Sequence, residues 1–101
     1  MLIYNVTIKV ENAIAASWLS WMLEEHIPDI MRTGCFTRHQ VVRLLETDDS
    51  EGPTYAIQYF AASVADYQRY LAQHAPEMRR RSAEKWGDHF IAFRSVMEVV
   101  Q

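Results

Sequence analysis

Hydrophobic and polar positions alternate over the first strand-length of the chain: Leu2, Tyr4, Val6, Ile8 and Val10 fall on one side, and Ile3, Asn5, Thr7 and Lys9 on the other. A period of two predicts a half-buried strand over Leu2–Val10. From Ala13 the period becomes helical, with Trp18, Leu19, Met22, Leu23, Ile27, Ile30 and Met31 inside one broad arc at about 100° per residue. Gly34 is placed to close this helix in a left-handed conformation. Two more strands are expected at Gln40–Glu46 and Thr54–Ala61, where branched and aromatic residues gather, with T-D-D-S-E-G-P as the hairpin loop between them. Ser63 and Asp66 make a capping-box-like start for a second helix, whose apolar stripe runs through Val64, Tyr67, Leu71, His74, Ala75 and Met78. Pro76 interrupts that stripe, so Ala75–Trp86 is either a kinked continuation or a second short helix with Pro76 in its first turn, ended by Gly87. Alternation returns over His89–Val100 as a fourth strand.

The order strand, helix, strand, strand, helix, strand predicts an α+β, ferredoxin-like βαββαβ domain over residues 1–101, with both helices on one face of a four-stranded antiparallel sheet. The other face does not read as a water-facing surface. The less apolar side of strand four still carries Phe90, Ala92 and Val96, and strand three sets Tyr55, Ile57 and Tyr59 against Ala56 and Phe60. A sheet with one wet face alternates more cleanly. The uncovered face is therefore expected to be buried by a second copy of the chain, as a two-fold homodimer.

Composition narrows the possible partners. The chain has 101 residues, of which 50% are hydrophobic, enough apolar surface to order a core rather than remain disordered. A net charge of -3 argues against nucleic acid, and the run Arg79-Arg80-Arg81, flanked by Glu77 and Glu84, reads as a solvated helix surface. No apolar segment has the length of a membrane span. One cysteine, Cys35, and an opening M-L-I-Y-N-V without a basic region point to a reducing, cytoplasmic setting.

Several segments also resemble a known family: Y-N-V-T at Tyr4–Thr7, W-L-S-W-M-L-E-E-H-I-P-D at Trp18–Asp29, T-G-C-F-T at Thr33–Thr37 and E-G-P-T-Y-A-I-Q-Y-F at Glu51–Phe60. They are similar to a bacterial family catalogued only as a domain of unknown function, which looks like a member of the dimeric α/β-barrel superfamily. The resemblance covers nearly the whole chain and implies the ferredoxin-like fold and dimerisation. The superfamily includes cofactor-free monooxygenases, lactone isomerases, polyketide cyclases, haem-binding proteins and ligand-sensing modules, so it implies no particular catalytic residue.

Within this frame His26 is the candidate centre. An unbroken helix aims Trp18, Met22 and His26 at the sheet, and Pro28 favours a kink beside the histidine that opens space. An imidazole in apolar surroundings favours its neutral form, suited to a general base or to an axial ligand of haem iron. Tyr4 and Tyr59 combine an apolar body with a polar tip, and Arg94 can neutralise an acidic ligand or pair with a carboxylate across the dimer. The candidate ligand-binding residues are thus Trp18, Met22, His26, Tyr4, Tyr59 and Arg94, with His26 the catalytic candidate; Trp21 lies off the apolar arc. The four histidines and one cysteine lack zinc spacing, and no glycine-rich phosphate loop is present, so no metal or nucleotide cofactor is expected.

Three functions remain open: a homodimeric module binding a small apolar or aromatic molecule between helices and sheet; a cofactor-free monooxygenase, isomerase or cyclase using His26; and an interaction protein whose dimer surface is the function. The first predicts a cavity on the order of a few hundred Å³ near His26.

Overall fold

The computed structural model describes residues 1–101. Strand β1 (Leu2–Val10) leads into a long helical segment made of α1 (Ala15–Trp21), a five-residue π-helix (Met22–His26) and α2 (Ile27–Met31). Strands β2 (Arg38–Arg43) and β3 (Thr54–Ala61) form a hairpin, followed by α3 (Val64–Gln73), α4 (Ala75–Trp86) and β4 (Phe90–Glu98). The sheet order is β2-β3-β1-β4 and every neighbouring pair is antiparallel. This is the ferredoxin-like arrangement, with β3 lying between β1 and β2. No helix is long and apolar enough to cross a membrane.

Register fixes what each strand offers to the helices. Ile57 pairs with Val6 and Tyr59 with Tyr4, while on the other flank Phe90, Ala92 and Arg94 pair with Val10, Ile8 and Val6. Residues directly opposite share a face. The less apolar side of β4 therefore meets the helices, and its more apolar side, with Ile91, Phe93 and Met97, lies on the open face. Phe93 is 69% exposed and Ile91 59%. At the middle of that face Asn5 is buried, donating from Nδ2 to Thr7 and Ser95 while its Oδ1 has no partner.

Two boundaries differ from the periodicity. β2 starts at Arg38 rather than Gln40 and ends at Arg43, because backbone pairing along the edge of β3, from Arg38 opposite Phe60 to Arg43 opposite Tyr55, defines this largely exposed strand. Beyond it Glu46 takes a positive φ of 58° and turns the chain away. At Pro76 the helix does break. His74, at φ -127°, separates α3 from α4, and Pro76 sits in the first turn of α4, where its missing N–H costs nothing. Ser63 caps α3 by accepting from the Asp66 N–H at 3.1 Å.

Between helices and sheet lies a core of 15 buried residues, among them Val10, Trp18, Ile27, Ile57 and Tyr59. Its polar end is aromatic: the Tyr4 ring lies 5.6 to 6.2 Å from those of Phe36, Tyr59, Tyr67 and Tyr70. The hairpin loop is fastened to the end of β1, with Val10 N–H donating to Pro53 O and Asn12 N–H to Glu51 O.

Candidate functional site

Pro28 has no N–H to offer the carbonyl of Glu24, so an ordinary α-helical ladder cannot run through this turn. The chain widens just before it. Ile27 N–H donates to Met22 O, five residues back, and Met22–His26 becomes a π-turn rather than a sharp kink. The widening changes which tryptophan meets the histidine. In an α-helix, residues five apart lie roughly 140° around the axis from each other, whereas an i-to-i+5 turn brings them to nearly the same side. Trp21 accordingly stacks on His26, with ring centroids 4.5 Å apart and planes 22° from parallel, and the edge of Trp86 closes on Trp21 at 6.0 Å. Trp18 instead packs against Tyr55 at 5.6 Å and does not line the cavity described next.

That cavity lies between the helical layer and the sheet. Met22, His26 and Ile30 form one wall, Tyr70, Met78, Arg79 and Ser82 a second. The sheet supplies the floor, from Tyr4, Val6 and Ile8 of β1, Ile57 and Tyr59 of β3, and Phe90, Ala92 and Arg94 of β4. Five of the six sequence candidates thus meet in one place, and Trp18 does not. The enclosed room is about 60 Å³, widening to about 530 Å³ when the open mouth is included. It is smaller than expected, with two methionines and three tyrosines among its lining residues.

His26 is 8% exposed, and its Nδ1 is buried without a hydrogen-bond partner. Burial drives its pKa down to about 4, with Asp29 opposing the shift and Arg81 adding to it. The ring is therefore neutral at physiological pH. Tyr59 and Tyr70 are pushed upward, chiefly by burial, and stay protonated.

The polar chemistry gathers at Tyr4. Its hydroxyl oxygen accepts from Arg79 Nη2 at 3.3 Å and from Arg94 Nε at 3.2 Å. The solvated reading of the arginine run holds for two of its members only: Arg80 pairs with Glu77 and Glu84, and Arg81 with Glu77 and Asp29. Arg79 turns inward to the phenol. Its place on the opposite flank of α4 from the acidic partners was the available signal. No group of His, Cys, Asp or Glu side chains is arranged to hold a metal ion.

The sequence pattern of a family described as a domain of unknown function, DUF4286, matches residues 1–100. The chain belongs to the DUF4286 family. Solved structures with the same fold surround this DUF4286 chain at low identity. One is SnoaB from Streptomyces nogalater, described as a cofactor-independent oxygenase, which gives a TM-score of 0.69 at 15% identity, over 99% of this chain and 94% of that one. A dimeric ferredoxin-like protein from an uncultured marine organism gives 0.74 at 12% identity, over 99% and 95%. A dimeric ferredoxin-like protein of unknown function from Jannaschia sp. CCS1 gives 0.59 at 13%, over 98% and 100%. Such identities establish a shared fold for the DUF4286 chain. No curated protein matches it.

Proposed function

We propose that this protein is a homodimeric module that binds a small apolar or aromatic molecule between its helices and sheet, in a cytoplasmic setting. The observation that carries this reading is the cavity itself, apolar on most of its lining, with a few polar groups, among them His26, Ser82 and the Tyr4 hydroxyl with its two arginines. Met22 and Met78 give its walls adaptability, since unbranched thioether side chains can reposition around a guest larger than the resting room. Phenol titrated into protein carrying labelled methionine methyls is expected to shift the Met22 and Met78 signals saturably, and Ala92→Leu, which fills the floor, is expected to remove the response. Absence of a saturable shift, or a response untouched by Ala92→Leu, removes the reading. The dimer half of the proposal is supported by the apolar open face and by the dimeric neighbours of the same fold.

A second reading is favoured by one feature of His26: a neutral imidazole, held flat against Trp21, lines the cavity. Such a ring can accept a proton from a bound molecule, as a cofactor-free enzyme requires, and SnoaB, described as an oxygenase, has the same fold. Turnover of an aromatic substrate that persisted unchanged in His26→Ala would exclude this role.

A further inference from the structure

The protein has eight arginines, and five of them, Arg32, Arg43, Arg69, Arg80 and Arg81, pair with carboxylates. Arg38 lies over the ring of Phe60 at 3.6 Å. The remaining two, Arg79 from α4 and Arg94 from β4, have no acidic partner and converge on a single neutral oxygen, the Tyr4 hydroxyl. Two cations drawn toward one phenol repel each other, and nothing in the chain neutralises them there.

The hydrogen-bond inventory makes the site more specific. A phenol offers one donor and two acceptor lone pairs. Both lone pairs of Tyr4 are occupied by the arginines, which leaves its O–H to donate. Each guanidinium has five N–H donors and spends one on Tyr4. The rim of the cavity therefore presents an abundance of donors and two positive charges, with no carboxylate among the lining residues and an apolar chamber behind them.

We infer that this rim is an anion subsite, in which Arg79, Arg94 and the Tyr4 hydroxyl hold the carboxylate of a small aromatic acid whose ring enters the cavity. A carboxylate is acceptor-only and bidentate, and so matches a donor-rich site carrying two guanidinium groups without acidic partners. A neutral amide would leave both positive charges uncompensated. This assignment rests on the ligand-binding reading above and narrows its ligand class.

Benzoate and benzamide share a ring and nearly a shape but differ in charge, and they separate the two claims. In the methionine-methyl titration benzoate is expected to bind at least about tenfold more tightly than benzamide, the discrimination that charged hydrogen bonds provide. Arg94→Gln and Arg79→Gln are each expected to weaken benzoate by about tenfold and benzamide by clearly less, so that the preference for benzoate collapses. Arg79 and Arg94 are exposed residues, and glutamine keeps a polar side chain at each, so neither substitution should disturb folding. Equal binding of the two ligands, or benzoate binding indifferent to both variants, overturns the anion subsite and leaves the apolar cavity standing. If benzoate, benzamide and phenol all fail to move the Met22 and Met78 methyls, the cavity reading and the subsite fall together.

Discussion

A single imidazole connects burial to the pH range of this protein. His26 binds its proton near pH 4 in the folded chain and near 6.5 once unfolded. Between those values the unfolded state carries more protons than the native one, so stability is full above pH 6.5 and falls as the pH drops toward 4. The gap corresponds to about 3 kcal/mol at full expression. Urea melts at intervals between pH 7 and pH 4 should show this decline, and His26→Phe should flatten it; an unchanged slope in the variant would assign the decline to other groups. Nothing in His26's own letter announces this behaviour. A histidine within an apolar stripe indicates burial, but the depth of the shift depends on Trp21 lying across the ring.

At the scale of elements, the turns decide what the strands and helices can present. Gly52 in the hairpin loop holds φ at 153°, and a Cβ there would stand 1.7 Å from the Val10 carbonyl oxygen. That oxygen belongs to the backbone of a fully buried strand end, so it cannot step aside. Gly52→Ala is expected to cost at least about 2 kcal/mol, measured by chemical denaturation, and a neutral effect would mean that the loop is not fastened to β1 as described. The same scale shows where sequence reading stops. β1 and β3 were legible to the residue because both faces of each strand alternate or pack clearly. The helix from Ala15 to Met31 was legible as a helix, but a fixed 100° period put Trp21 off the arc and Trp18 beside His26. The π-turn shifts the phase by part of a turn and brings Trp21 onto His26, while Trp18 stays buried in the core against Tyr55. Arg79 was hidden differently, since three adjacent arginines look alike in sequence. Helical phase sets Arg79 on the flank of α4 away from Glu77 and Glu84, but it is Tyr4, 75 positions away along the chain, that draws it inward.

For the whole molecule the open face of the sheet is the governing feature. Ile91, Phe93 and Met97 line it from β4, and at its centre Asn5 keeps an unpaired, buried carbonyl oxygen. A second copy packed there would remove the exposed aromatic surface and could bring a donor to that oxygen, worth about 1 kcal/mol. Wild-type protein is expected to sediment as a dimer at micromolar concentration and Phe93→Asp as a folded monomer, because a carboxylate at the centre of an apolar interface has no partner. A monomeric wild type would remove the dimer from the proposed function. β1 runs through all of this, with Tyr4 turned toward the cavity and its neighbour Asn5 toward the open face. None of its nine residues is exposed even in one isolated chain. The strand whose alternation is the plainest pattern in the sequence thus has no fully exposed side, and tolerance to substitution along it should show less of the every-other-residue relief that its hydropathy suggests.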